Sequence, residues 1–138
     1  MSTSMKVRSA VLEEGAAVAA LWEACGLTVP YNDPAADFRF ALGKPNSDVL
    51  VTEDLSGSVM VGHDGHRGWI YYLAVRPDRQ RQGLGRVLVA AAEQWLSQRG
   101  VAKLNLMVRE HNHGVAAFYQ KLGFELMPRI NLQKWLKS

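Results

Sequence analysis

The sequence predicts an α+β fold: a single domain with a mixed central sheet of about six to seven strands, flanked by about four helices. Three observations carry this. Short apolar runs, some alternating, are bounded by glycine, proline, asparagine or aspartate, as strands and turns are. Four longer stretches space their apolar residues three and four apart, as amphipathic helices do. The two kinds follow one another as strand, two helices, three strands, helix, strand, helix and a last pair of strands, with no repeat, low-complexity tract or linker between them.

Residues 6–11 read as the first strand. Residues 13–25 carry Ala17, Val18, Leu21 and Trp22 at helical spacing, and Gly26 is a stop signal. Pro30, Tyr31, Asn32, Asp33 and Pro34 make a turn or loop, with Asp33 placed to cap a short helix through Leu42. Residues 48–53 and 58–63 are two strands with a tight turn near Ser56 and Gly57. A turn at 64–68 leads into the strand 69–75. Leu84, Val87, Leu88, Ala91 and Trp95 then mark one buried face of a helix ending near Arg99, with Gly100 behind it. Residues 101–108 alternate around Leu104, Leu106 and Val108 as a strand. Val115, Phe118, Tyr119 and Leu122 share a helix face that Gly123 ends. Residues 124–127 and 130–136 supply final strands, and residues 1–4 read as a flexible N-terminal extension.

At 138 residues the chain can bury a proper core, and 48% hydrophobic with 21% charged residues is the composition of a globular protein. No apolar run approaches the roughly 20 residues of a membrane helix. No apolar segment near the N-terminus makes a signal peptide. The reading is a soluble, cytoplasmic protein with no membrane partner. A lone cysteine, Cys25, excludes an internal disulfide and a cysteine-built zinc site. His63, His66, His111 and His113 come without a carboxylate-rich pattern, so no metal is expected.

The formal charge of +3 is concentrated: residues 76–86 hold four arginines and one aspartate, and the rest of the chain is balanced. A patch so compact suits a small polyphosphate better than a nucleic-acid backbone, so no nucleic-acid partner is expected. It also surrounds Gly83 and Gly85, between an apolar strand and the start of a helix. Glycines let the backbone approach a ligand, and a helix start offers unpaired N–H groups and a positive dipole end. Such a turn suits phosphate oxygens. A Rossmann or Walker loop fits poorly, because Gly-Lys-Ser/Thr and the third glycine are missing.

Three pieces in order resemble one family. Gln80-Arg81-Gln82-Gly83-Leu84-Gly85 matches a Gln/Arg-x-x-Gly-x-Gly/Ala signature. Tyr72-Leu73-Ala74-Val75 with Arg76-Pro77 directly precedes it. Asn112, seven residues before Tyr119, and then Lys121-Leu122-Gly123-Phe124 match an Asn…Tyr…Gly-Phe ending. The chain resembles the GNAT family of acetyl-CoA-dependent N-acetyltransferases over nearly its whole length. The stretches 21–27, 30–34 and 64–68 with Tyr71, Tyr72 and Leu73 are similar to the bacterial YpeA-like subgroup. One departure is the hairpin between Val49 and His63, several residues shorter than is usual in the family, which leaves its register open.

The resemblance implies the GNAT fold, acetyl-CoA as acetyl donor and a small-molecule or peptide amine as acceptor. It leaves a homodimer open. Backbone groups of Gln80, Arg81, Gln82, Gly83, Leu84, Gly85 and Arg86 would hold the pyrophosphate, and main-chain groups of Leu73, Ala74 and Val75 the pantetheine arm and thioester. Asn112 would contact a pantetheine amide besides capping its helix. Tyr119 would be the catalytic acid toward the leaving thiolate, since a phenol is protonated at neutral pH. For the base, Glu110, His111, Asp64 and Glu53 stay open. The acceptor would lie beside Trp22, Tyr31, Asn32 and Asp33 on one side and residues 127–131 on the other. The alternative function is a non-catalytic acyl-CoA-binding or interaction module with the same fold.

Overall fold

The computed structural model describes residues 6–137 and divides into two compact units, one through Leu106 and one from Met107. The expected extension at residues 1–4 lies outside the described residues. In the first unit, β1 (Val7–Ser9) leads through a single 3-10 turn into α1 (Gly15–Ala24) and then α2 (Pro34–Ala41). Next come β2 (Ser47–Thr52), β3 (Gly57–His63), β4 (Gly68–Val75), α3 (Leu84–Ser97) and β5 (Leu104–Asn105). The five strands lie in sequence order, antiparallel except for the parallel pair β4–β5.

Local chemistry sets the helix boundaries. Asp33 accepts hydrogen bonds from the N–H groups of Ala35 and Ala36, and Pro34 fills the first helical position of α2, where its missing N–H does no harm. At the N-terminal edge, Glu14 takes both Nη atoms of Arg8 at 2.9 and 2.8 Å and the N–H of Val11 at 2.9 Å. These bonds, that from Arg8 foremost, lower the Glu14 carboxyl to about 2.

Val49 and Val51 face α1 and α2, joining Val18, Leu21, Trp22, Phe38 and Ala74 in one cluster. Alternation turns Leu50 to the other face, where it borders Ala91 and Trp95 of α3. The register left open by the short hairpin is fixed as Leu50↔Val59 and Val51↔Ser58. On α3 the buried residues are Leu84, Leu88, Val89, Ala92, Trp95 and Leu96, whereas Val87 and Ala91 are only half-buried. The buried stripe is thus rotated toward Val89, Ala92 and Leu96, because the sheet beneath it is broad enough to cover more than one row of side chains.

In the second unit, α4 (His113–Lys121) is capped by Asn112, whose side chain accepts from Val115 N–H. Gly123 follows with φ +98, and Phe124 N–H closes back onto Tyr119 O.

The strand count is lower than the sequence predicts. Among the described residues there are five strands rather than six or seven. Only Leu104 and Asn105 of residues 101–108 join the ladder, and residues 124–127 and 130–136 form no strand. The last two would have to pair with each other across Pro128, which has no N–H to donate, and a lone short hairpin is marginal. Their apolar side chains are correspondingly exposed, Ile130 at 88% and Leu132 at 89%.

Two outcomes follow from these contacts. A Cβ at Gly68 would fall 2.5 Å from Leu96 Cδ1, so Gly68→Ala should destabilise the protein by about 1–3 kcal/mol in denaturant titration. Because the folded-state pKa of Glu14 is depressed, its contribution is present above the usual carboxylate pKa of 4.5 and is lost as pH falls toward about 2. Melting temperatures should show Glu14→Gln less stable than wild type at pH 7, with the gap closing across that window.

Candidate functional site

The strand β4 has two unlike ends. Gly68 and Trp69 pair with Leu104 and Asn105 of β5. Beyond Trp69, no strand among the described residues pairs with that edge of β4. On the opposite edge the ladder with β3 slips: Met60 faces Tyr71 while Ser58 faces Ala74, so Tyr72 and Leu73 together oppose Val59. This is a β-bulge, and Tyr72 sits in it with φ +52, in the left-handed region. Beyond Trp69, the β5-side edge of β4 therefore has main-chain groups that no neighbouring strand consumes.

The bulge is held from below. The Tyr72 ring stacks on Trp22 at 4.0 Å with an interplanar angle of 7°, and its hydroxyl donates to Asp37 Oδ2 at 2.7 Å. Trp22 is fully buried and donates its Nε1–H to Ser58 Oγ at 2.8 Å. It is therefore core rather than pocket wall. Burial first, then the hydrogen bond to Asp37 and its charge, push the Tyr72 phenol up to about 12, against a smaller opposing pull from Asn32.

Past Val75 the chain turns through residues 76–83 into α3. Gln80 folds back and donates to Val75 O at 3.1 Å, and Cys25 Sγ donates to the same carbonyl at 3.2 Å. Of the three residues expected to lend main-chain groups, Val75 thus has its carbonyl already engaged, while Leu73 lies in the bulge and Ala74 is buried. Arg81 (φ +65) and Gly83 (φ +82) both turn left-handed, and Gly83 caps α3. The first bond of α3 runs from Val87 N–H to Gly83 O, which leaves the N–H groups of Leu84, Gly85 and Arg86 without partners in the helix.

The arginines divide into two pairs. Arg76 is held by Asp78 at 2.6 Å, and Arg79 by Asp54 at 2.8 Å. Arg81 and Arg86 are exposed and make no ion pair among the described residues. Arg79 also donates to Gln82 Oε1 at 3.1 Å, and Arg76 N–H donates to Ser56 O at 2.7 Å. The β2–β3 turn is thereby tied to the glycine loop. Within it, the Ser56 hydroxyl, with Thr52 and Arg79, holds the Asp54 carboxyl well below the usual carboxylate range.

These features fit a coenzyme carrying a diphosphate and an amide-bearing arm. Two exposed guanidinium groups flank a helix start, and an open strand edge precedes it. At the point where β4 and β5 part, Asn105 Oδ1 is buried with no hydrogen-bond partner, an acceptor that an amide N–H would satisfy.

In the second unit, Tyr119 is 8% exposed on α4, with Phe118 and Phe124 edge-on at 5.1 and 5.4 Å. Burial pushes its phenol up to about 12. Asn112 lies at the head of the same helix. Of the four base candidates, Glu53 is ion-paired with Arg8 at 2.6 Å. Asp64 accepts from the N–H groups of His66 and Arg67 and from Trp69 Nε1, bonds that lower its carboxyl, the Arg67 one most. Both serve their local structure. Glu110 and His111 are exposed. Among the described residues no group of His, Cys, Asp and Glu is arranged to hold a metal, and no helix is long and apolar enough to cross a membrane.

The model of the acetyltransferase (GNAT) family matches residues 13–124. A protein from Pectobacterium atrosepticum named as an acetyltransferase is 42% identical over 135 residues, 96% of each chain. One from Yersinia enterocolitica, also named as an acetyltransferase, is 44% identical over 119 residues, 84% of each chain. Among solved structures, the ribosomal-protein-S18-alanine N-acetyltransferase from Escherichia coli superposes with a TM-score of 0.75 at 26% identity, over 88% of this chain and 78% of that one. The aminoglycoside enzyme AAC(6')-Iy, solved with a CoA-containing bisubstrate analogue, gives 0.81 at 16% identity, over 96% and 99%, a likeness of fold alone. The chain belongs to the acetyltransferase (GNAT) family.

Proposed function

We propose that the protein transfers an acetyl group from acetyl-CoA to a primary amine by direct attack within a ternary complex. The observation that carries this is the free edge of β4 running into a helix start with two unpaired arginines. The thioester of the bound coenzyme would supply the activated acetyl group. Arg81 and Arg86, with the N–H groups of Gln82, Gly83, Leu84, Gly85 and Arg86, hold the diphosphate. Gln80 acts indirectly, by fixing the turn through Val75. Main-chain groups of Leu73, Ala74 and Val75 orient the arm and the reacting carbonyl, and Asn112 adds a contact to an arm amide.

Tyr119 is assigned to the departing sulfur by the family resemblance. With a pKa of about 12 its phenol keeps its proton throughout the neutral range. Complete transfer to an ordinary thiolate, of pKa about 8.5, would run uphill. Its role is therefore to donate a hydrogen bond that strengthens as negative charge grows on sulfur.

Calorimetry with acetyl-CoA tests the binding half. Micromolar binding is expected, weakened by at least tenfold in an Arg81→Ala, Arg86→Ala double variant and by added salt. An absence of binding at high micromolar cofactor would remove the reading. For the chemical half, Tyr119→Phe should lower kcat about a hundredfold with little change in coenzyme affinity. Since the raised pKa keeps Tyr119 protonated below about 12, it should cause no loss of wild-type kcat as pH rises from 7 to about 10. Equal kcat in Tyr119→Phe and wild type would take the residue out of the mechanism.

A further inference from the structure

Asp37 has no ion-pair partner among the described residues. It lies half-buried in the first turn of α2, where an acidic residue ordinarily serves the helix N-terminus. That need is already met: Asp33 caps the helix with two accepted bonds. The side chain of Asp37 is directed instead to the β4 bulge, where Oδ2 accepts from the Tyr72 hydroxyl. No cationic side chain stands within ion-pair distance of it among the described residues. A neutral phenol offers a hydrogen bond but no opposite charge, and a partly desolvated carboxylate so placed favours an incoming cation.

The position of this carboxylate is tied to the reacting edge. Tyr72 and Leu73 form one bulge, on the edge of β4 opposite the free one, and that bulge fixes where the Tyr72 side chain goes. The ring has no freedom to wander, because it is stacked flat on Trp22. Asp37 therefore stands a set distance from the free edge, one tyrosine side chain away.

We infer that Asp37 is the counter-ion for a second positive charge on the acceptor, so that the substrate class is a diamine-like cation with one amine at the free edge of β4 and the other cationic group at Asp37. This rests on the acetyl-transfer reading and names the acceptor it favours. It also gives a role to the Tyr72 hydroxyl, which donates to Oδ2 and fixes the carboxylate beside β4.

The test uses the whole protein saturated with CoA, titrated calorimetrically with pentylamine and with a diaminopentane bearing an amine at each end. The diamine should bind about tenfold more tightly than the monoamine. In Asp37→Asn, which keeps an acceptor for the Tyr72 hydroxyl, the two amines should bind alike. Equal affinities in wild type, a preference that survives in Asp37→Asn, or no binding of either amine would overturn the inference. If Asp37→Asn is misfolded, as its own CoA titration would reveal, the wild-type comparison still decides. Failure of the wild type to bind CoA is a separate result, and counts against the acetyl-transfer reading itself.

Discussion

Tyr72 adopts a left-handed backbone conformation that costs a non-glycine residue about 1–2 kcal/mol, and its surroundings supply the opposing contributions. A flat stack on a fully buried tryptophan and a short bond to a carboxylate hold the ring in one place. Trp22 is itself anchored, through Ser58, to the strand across which the bulge forms. The bulge is thus braced from the core outward: α1 supplies the tryptophan, α2 the aspartate, β3 the serine. Without that bracing β4 would relax into regular pairing with β3, and its exposed backbone edge would lose the shape that suits a ligand.

The other end of β4 shows the complementary constraint. Gly68 has no side chain because Leu96 of α3 occupies the space, and β5 is hydrogen-bonded alongside. One end is clamped between a helix and a neighbouring strand, the other is bent and open. A strand fixed at one end can present a precise free edge at the other, since the position of that edge is inherited from the clamped part and from the bulge. The glycine loop begins where this strand stops, so the loop and the open edge share one origin.

Much of this was legible in the residues. The helix caps at Asp33 and Asn112, the stop at Gly26 and the helix behind Gly83 follow from local rules that depend on few neighbours. The turn at Gly83 ahead of α3 was legible for the same reason, as was the concentration of charge beside it. The bulge was not, because nothing in Ile-Tyr-Tyr-Leu-Ala-Val marks one tyrosine for a left-handed conformation; that choice depends on Trp22 and Asp37, about fifty and thirty-five positions away in the chain. Asp37 escaped notice for the same cause, since in sequence it is one acid in a helix. The division of the arginines into paired and unpaired could not be read either, as Asp54 reaches Arg79 only through the fold. The final strands were over-read: alternating apolar residues describe a strand only when a partner strand is there to pair with it.

The tie between the β2–β3 turn and the glycine loop has a consequence for how this chain can vary. A short surface turn between two strands is ordinarily where insertions are absorbed without harm. Here the turn carries Asp54 and Ser56, which grip Arg79 and the backbone of Arg76. Lengthening it would leave the sheet intact yet slacken the glycine loop to which it is tied. The shortness of this hairpin is then a matter of tolerance: a turn that looks peripheral has the spacing requirements of the loop it holds.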